Sequence, residues 1–257
     1  MTPIIPIPAF RDNYIWLLRE GRRAVVVDPG DAAPVLAYLD ANGLDLAAII
    51  ATHHHADHVG GIPGLTRRFD VPVYGPAREA IPGRSHALAQ GDSIVVPGIG
   101  LAFDAIDIPG HTAGHIAFYC AGQEILFCGD TLFAAGCGRI FEGTPAQMWE
   151  SLSKLAALPG ATRVHCGHEY TMANLRFATA VEPANADLPA RTAREQAKHD
   201  AGVPTLPSTI AEERATNPFL RAGVAAVANA ASAHAGRALT NVVDVFAELR
   251  EWKNGFQ

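Results

Sequence analysis

Residues 46–58, LAAIIATHHHADH, decide the fold and much of the chemistry of this chain. The first part, residues 46–51, is an apolar run of the length expected for a buried β-strand. The second part carries four possible metal ligands: His53, His55, Asp57 and His58. Side chains two residues apart in extended backbone point the same way, so two of these imidazoles converge without a helix. Imidazole and carboxylate groups commonly bind Zn²⁺, so the pattern predicts a metal site where the strand ends.

Three further positions repeat one pattern, in which an apolar run is followed by a glycine and then by a possible ligand. They are His111 after residues 101–108, Asp130 after residues 125–128, and His168 after residues 163–166. Glycine permits the sharp turn that aims such a side chain, and strand ends at one sheet edge bring side chains together. A lone histidine after a turn is usually a surface residue. Seven possible ligands on strand-end loops, however, predict a site for two metal ions.

The spacing of the apolar runs predicts the fold class. Short runs separated by turns fill the first two-thirds of the chain, and many are too close for the helical crossovers of a simple parallel sheet. The sequence therefore predicts an α+β sandwich of strands and helices. After about Ala173 the sequence becomes richer in Ala, Glu, Arg and Lys, and predicts helices over residues 175–181, 188–199, 222–235 and 241–252. We predict a catalytic domain over residues 1–173 and a small helical domain over residues 174–257.

Composition excludes several classes of protein. With 257 residues, 49% of them apolar and 18% charged, the chain can form a sizeable core and is not disordered throughout. A net charge of −6 gives no support for nucleic-acid binding. Every long apolar stretch is interrupted by glycine, proline or charge, so we expect no membrane-spanning helix. The N-terminus shows no secretory pattern, so we expect a cytoplasmic protein. The four cysteines show no paired spacing, so we expect free thiols. We also expect a monomer.

Longer motifs give the chain a family resemblance. It resembles the metallo-β-lactamase superfamily and, more narrowly, the glyoxalase II (hydroxyacylglutathione hydrolase) family. The narrower resemblance rests on THHHADH at 52–58, GHTAGH at 110–115, GDTLF at 129–133, GCGRIFEGT at 136–144, CGHEY at 166–170 with Asn174, NPFLR at 217–221 and REWK at 250–253. It implies an αβ/βα metallo-β-lactamase-like sandwich with a dinuclear metal site and a small C-terminal helical domain.

The resemblance also implies roles for individual residues. One metal ion would be held by His53, His55 and His111, and the second by Asp57, His58 and His168, with Asp130 bridging the two. Asp57 and Asp130 are the residues assigned to catalysis, and His54 and His115 are not ligands. The contacts to glutathione would come from Arg139, Tyr170, Arg250 and Lys253. The chain departs from the family pattern at Arg139, where lysine is common, and at Phe141, where tyrosine is common.

The implied reaction is metal-dependent hydrolysis of S-D-lactoylglutathione and related S-2-hydroxyacylglutathione thioesters to glutathione and D-lactate, the second step of methylglyoxal detoxification. Attack by a metal-bound hydroxide suits the ligand set, because a metal ion lowers the pKa of bound water from 15.7 towards about 7. A thiol leaving group, with a pKa near 8.5, needs little help from a general acid. We expect two divalent ions, zinc first, although iron and manganese also suit histidine and aspartate ligands.

Three alternatives stay open at this point. The chain could be another hydrolase of the same fold, acting on a lactone, a β-lactam or a phosphodiester, although such an enzyme would not need Arg250 and Lys253. It could be a glutathione persulfide dioxygenase with a single iron, which metal count and oxygen uptake would reveal. It could also be a non-catalytic metal-binding or redox-partner module, which a thioester assay would distinguish.

Overall fold

Two six-stranded sheets form the centre of the molecule. The structure is a computed structural model that describes residues 2–256, so Met1 and Gln257, at the outer ends of the two predicted domains, lie outside the described residues. The first sheet contains, in spatial order, β1 (Ile4–Ala9), β2 (Asn13–Glu20), β3 (Arg23–Val27), β4 (Asp45–Ile50), β5 (Val73–Pro76) and β6 (His86–Leu88). In the chain, β7 (Ser93–Val95), β8 (Ala102–Asp107), β9 (Ile116–Cys120), β10 (Ile125–Gly129), β11 (Leu132–Phe133), β12 (Gly136–Cys137), β13 (Arg163–Cys166) and β14 (Ser208–Thr209) follow. The second sheet has the order β14-β13-β10-β9-β8-β7, and β11 and β12 pair as a separate small hairpin.

The two faces of the first sheet pack into two separate hydrophobic cores. In β2, Trp16 and Leu18 belong to the core shared with the second sheet, whereas Ile15 and Leu17 belong to a core on the opposite face. This alternation follows from the two-residue period of a strand. Helices α1 (Ala32–Asn42), α2 (Ala56–Val59) and α3 (Ile62–Thr66) follow β3 and β4 in the chain. Residues of α1 and α3 complete the core on the opposite face.

The remaining helices lie on the side of the second sheet. They are α4 (Pro145–Ala156), α5 (Thr171–Val181), α6 (Asp187–Asp200), α7 (Ile210–Thr216), α8 (Ala225–Ala235) and α9 (Val242–Gly255). Helix α4 begins at a capping box, in which Thr144 and Gln147 satisfy each other's backbone N–H groups. Asn241 caps α9 by accepting a hydrogen bond from the backbone N–H of Asp244. The main core runs without a break from the space between the sheets into α4, α5 and α9.

The fold class is confirmed, since the chain forms an α+β sandwich of αβ/βα type with a C-terminal helical region. The four predicted C-terminal helices are present, but the structure adds α7 and the short strand β14, which the sequence did not predict. The N-terminal hairpin of β1 and β2 was also missed. No helix within residues 2–256 is both long enough and apolar enough to cross a membrane.

Candidate active site

All seven predicted ligands lie just beyond the ends of strands. His53, His55, Asp57 and His58 follow β4, and His111, Asp130 and His168 follow β8, β10 and β13. Glycine is needed at two of these turns. Gly129 adopts a φ of 46°, which L side chains rarely adopt, and a Cβ on Gly167 would lie 2.6 Å from Asp130 Oδ1. The strand-glycine-ligand pattern brings together three side chains from the second sheet, and the loop after β4 adds four from the first sheet.

The side chains form two trios. His53, His55 and His111 make one, and Asp57, His58 and His168 make the other, with the possible ligand atoms of each trio within 4.8 Å of one another. His55 Nδ1 lies 3.0 Å from His111 Nε2, and His168 Nε2 lies 3.4 Å from Asp57 Oδ2. Each trio can hold one divalent ion, and its residues are those that the sequence resemblance grouped together. Asp28, His53 and His58 make a third group of possible ligands, which takes one histidine from each trio.

Asp130 lies between the two trios. Its Oδ2 is 3.5 Å from Nε2 of His111, in the first trio, and 3.2 Å from Nε2 of His168, in the second. Three buried atoms at this centre have no hydrogen-bond partner among the described residues: Asp130 Oδ1, His53 Nε2 and His58 Nε2. Buried polar atoms are nearly always paired, so these three atoms fit coordination to metal ions.

Charge differs between the two trios. Burial, followed by the neighbouring imidazoles of His58 and His115, lowers the pKa of His53 far below its usual range. Burial also opposes protonation of His168, but hydrogen bonds to Asp130 and Asp57 outweigh it and raise its pKa to about 10. The carboxylates of Asp57 and Asp130 thus create a negative potential at His168, which suits a divalent cation that displaces its proton.

Asp28 holds Thr52 and His58 in place by hydrogen bonds, a role that the sequence patterns did not predict. Its Oδ1 accepts the backbone N–H of Thr52 at 2.7 Å, and its Oδ2 accepts the Thr52 hydroxyl at 2.8 Å. His58 Nδ1 lies 3.1 Å from the same Oδ2, which leaves His58 Nε2 facing the centre. Asp28 directly follows the apolar run of β3 without the intervening glycine that precedes Asp130, so the strand-glycine-ligand pattern does not include it.

The two histidines that the resemblance excluded as ligands make other contacts. His115 Nε2 accepts the backbone N–H of Asp130 at 3.2 Å, and its ring stacks on His53 at 4.5 Å between centroids. His54 lies between two carboxylates, with Nδ1 3.0 Å from Glu79 Oε2 and Nε2 3.4 Å from Glu142 Oε1. Neither belongs to a group of possible ligands among residues 2–256.

A cavity of about 560 Å³ lies between the predicted metal ligands and the C-terminal helices. Its lining includes the predicted ligands His55, Asp57, His111, Asp130 and His168, and it also includes Arg139, Phe141, Tyr170, Arg250 and Lys253. The four predicted glutathione contacts thus lie in the same cavity as the predicted ligands. Asn174, Asn254 and Phe256 also line it, and only Asn174 had been noted from the sequence, as part of a motif.

Arg250 and Lys253 are not part of a solvated helix face. Arg250 is 7% exposed and donates a hydrogen bond from Nη1 to the carbonyl oxygen of Cys137 at 2.8 Å, which leaves other guanidinium donors free. Lys253 Nζ donates to the carbonyl oxygen of Ala173 at 3.1 Å. Burial, together with the nearby charges of Arg250, Arg176 and Arg139, lowers the pKa of Lys253 to about 8. This side of the cavity is therefore a cationic wall in an acidic protein.

Phe141 and Tyr170 border the cavity on either side of the ligands. The Tyr170 ring stacks on His168 at 4.8 Å with an interplanar angle of 5°, and burial raises the pKa of its hydroxyl, which stays protonated and can donate a hydrogen bond. Phe141 is 63% exposed and packs its ring edge against His111 at 5.3 Å. The backbone carbonyl of Arg139 accepts a hydrogen bond from His111 Nδ1 at 2.8 Å, so the loop that carries Arg139 and Phe141 also orients a predicted ligand.

Comparison with known families divides the chain into two matching parts. A family model described as the Metallo-beta-lactamase superfamily matches residues 9–168, and one described as Hydroxyacylglutathione hydrolase C-terminus matches residues 169–256. A protein named hydroxyacylglutathione hydrolase from Nitrosomonas eutropha is 54% identical over 257 residues, covering 100% of both chains. A protein of the same name from Alkalilimnicola ehrlichii is 58% identical over 256 residues, covering 99% of each chain.

Solved structures share the fold. The BLEG-1 B3 metallo-beta-lactamase aligns with a TM-score of 0.63 and 24% identity over 86% of this chain and 99% of its own. TTHA1623, crystallised in a di-iron-bound form, aligns with a TM-score of 0.60 and 29% identity over 84% of this chain and 100% of its own. The first likeness shows the fold alone, and the second concerns a protein that holds two metal ions.

Proposed function

The chain belongs to the metallo-β-lactamase superfamily and, within it, to the hydroxyacylglutathione hydrolases, and we propose that it hydrolyses S-D-lactoylglutathione and related S-2-hydroxyacylglutathione thioesters to glutathione and the free hydroxy acid. The observation that carries this proposal is one cavity with two possible metal sites on one side and a cationic wall on the other. Glutathione is anionic at neutral pH, so its carboxylates suit Arg139, Arg250 and Lys253, and in this proposal the thioester carbonyl of the bound substrate faces the metal side.

The ligand atoms of this site suit two divalent cations. We propose that His53, His55 and His111 hold one ion, that Asp57, His58 and His168 hold the other, and that Asp130 bridges them. When bound, such ions lower the pKa of a coordinated water and polarise a carbonyl oxygen. Zinc is our proposed metal, with iron and manganese as the other candidates, because the set contains imidazole and carboxylate but no thiolate.

The protein's own groups bind and orient the substrate. The free donors of the Arg250 guanidinium and the Lys253 ammonium face the cavity and can hold the carboxylates of the glutathione peptide. The Tyr170 hydroxyl stays protonated at neutral pH and can donate to a substrate oxygen beside the reacting carbon. Asp57 and Asp130 are ionised, because hydrogen bonds and charges from neighbouring histidines keep their pKa values low, so neither is available as a proton donor. The departing thiolate needs none, given a thiol pKa near 8.5.

The direct test measures loss of thioester absorbance with S-D-lactoylglutathione and purified full-length protein, before and after treatment with a chelator. We expect turnover that chelation abolishes and zinc restores. No turnover by a sample shown to contain two metal ions per chain would reject the proposed substrate. Oxygen uptake with glutathione persulfide would then identify the dioxygenase alternative.

We also propose that the protein is a monomer and acts in the cytoplasm, which sedimentation and cell fractionation would test.

A further inference from the structure

The turn that joins β1 to β2 reaches into the metal centre from a part of the chain that carries no ligand. Residues Phe10, Arg11 and Asp12 form this turn, and Asn13 begins β2. Phe10 adopts a backbone φ of 51°, which residues other than glycine rarely adopt, so contacts elsewhere must hold the turn in place. The contacts of Asp12 and Asn13 provide that hold.

Asp12 contacts the second trio through His168. Its Oδ1 lies 2.8 Å from His168 Nδ1, and its backbone carbonyl accepts the N–H of Glu169, also at 2.8 Å. An ionised carboxylate can only accept a hydrogen bond, so Nδ1 of His168 carries a proton, and the proton that the ring must lose to bind a metal ion is the one on Nε2. The lone pair of Nε2 is then directed into the trio, where Nε2 lies 3.4 Å from Asp57 Oδ2.

Asn13 contacts the same trio through Asp57. Its Nδ2 donates to Asp57 Oδ2 at 2.9 Å and lies 3.4 Å from the Asp57 carbonyl oxygen. Both partners are acceptors, so the amide nitrogen and not the amide oxygen must face them. Asn13 is 6% exposed and also forms a β-bridge with His168. One turn therefore fixes ligands that come from two different sheets, Asp57 after β4 and His168 after β13.

The first trio has no such support from this turn. His53 contacts the neighbouring Thr52 hydroxyl, and His111 donates to the carbonyl of Arg139. Resting on the dinuclear site proposed above, we infer that Asp12 and Asn13 are positioning residues for the second metal ion alone. Asp12 keeps the proton of His168 on Nδ1, so that Nε2 binds the ion, and Asn13 orients the Asp57 carboxylate.

The test is a metal titration and does not depend on turnover. Full-length apoprotein is titrated with zinc against a competing chelator, and bound metal is counted by mass spectrometry, for the wild type and for Asp12→Ala and Asn13→Ala. Loss of an outer hydrogen bond to a ligand typically weakens metal binding about 10- to 100-fold. We expect that loss for one of the two ions only, the one held by the second trio, with the affinity for the other ion unchanged. Asp12→Asn keeps an accepting oxygen for His168 Nδ1 and should recover much of the affinity.

Two controls separate positioning from general stability. Arg11→Ala alters an exposed residue of the same turn and should bind both ions like the wild type. The melting temperature of each apoprotein shows whether the hairpin still folds. Unchanged affinity for both ions in Asp12→Ala and Asn13→Ala would overturn the inference. So would equal weakening of both ions together with a lower melting temperature of the apoprotein, which would indicate a purely structural hairpin.

The proposed function and this inference fail in different ways. A wild-type chain that binds only one ion contradicts the dinuclear site itself and removes the basis of the inference before any variant is compared. A wild-type chain that binds two ions and hydrolyses the thioester, alongside variants that bind both ions equally well, rejects the inference alone.

Discussion

The two sides of the cavity are built in different ways. On the metal side, His53, His58 and Asp130 are buried, and the carboxylates of Asp28 and Asp12 accept hydrogen bonds that hold predicted ligand side chains in place. On the cationic side, burial varies, since Arg250 is buried, Lys253 is partly buried and Arg139 is exposed. A rigid side suits chemistry that depends on geometry, and a side with free donors suits recognition of a flexible peptide. Changes on the metal side should therefore affect kcat and metal content, and changes on the cationic side should affect KM.

The largest effect should follow loss of the bridging carboxylate. Asp130→Ala should bind one ion in place of two and lose at least about a hundredfold in kcat, because metal polarisation of a carbonyl contributes several kcal/mol. Metal analysis together with steady-state kinetics checks this. Asp70→Ala, at an exposed position outside the cavity, is the matched control and should behave like the wild type. An Asp130→Ala protein with two ions and normal kcat would refute the bridging role.

The cationic side should respond in KM. Arg250→Ala should raise KM for S-D-lactoylglutathione about 10- to 100-fold, since a hydrogen bond to a charged group contributes about 1.5–3 kcal/mol. Its effect on kcat should be small, because the guanidinium is remote from the reacting carbon. Arg237→Ala, which removes an exposed arginine between α8 and α9, controls for net charge. If KM stays unchanged in Arg250→Ala, then the guanidinium does not bind the substrate.

Lys253 should make substrate binding depend on pH. The pKa of this amine is lowered to about 8, so the free enzyme loses the charge as pH rises through about 8. Its attraction for a substrate carboxylate is present below that pH and lost above it, so KM should rise about tenfold across this range. Lys253→Met should remove that inflection while its KM stays high at every pH. An identical pH profile in both proteins would assign the inflection to another group.

The smallest effect concerns the departure at Phe141. Phe141→Tyr adds a hydroxyl to a ring that borders the cavity, so one new hydrogen bond to the peptide should lower KM about threefold without changing kcat. Phe69→Tyr, on the opposite face of the first sheet, adds the same hydroxyl away from the site and should have no effect. Unchanged KM in Phe141→Tyr would mean that the added hydroxyl does not reach the peptide.

The ligand positions could be predicted because their signal is local. An apolar strand, a glycine and a ligand lie within a few residues of one another at His111, Asp130 and His168, and the alternation of His53 and His55 follows from strand geometry. The sandwich could be predicted for the same reason, since each apolar run is a strand or part of one. Motif resemblance added the grouping into trios, which spacing alone leaves open.

The N-terminal hairpin could not be predicted in this way. Strand β1 contains Pro6 and Pro8, and proline argues against a strand unless the strand lies at a sheet edge. β1 is such an edge strand, a position that only the sheet order reveals. Asp12 and Asn13 were missed with it, because their partners His168 and Asp57 lie 156 and 44 residues away in the chain. Contacts at such separations leave no mark in a single sequence.

The division of the cavity into a metal side for catalysis and a cationic side for substrate binding is tested most directly by changing the thiol half of the substrate. We would measure kcat/KM for S-D-lactoylglutathione and for S-D-lactoyl-N-acetylcysteamine, which lacks the peptide, with the wild type and with the double variant Arg250→Ala/Lys253→Ala. We expect the wild type to prefer the glutathione thioester strongly, and the double variant to lose that preference while its metal content and its activity on the small thioester stay the same. A double variant that keeps the preference, or that loses activity on both substrates alike, would contradict the division.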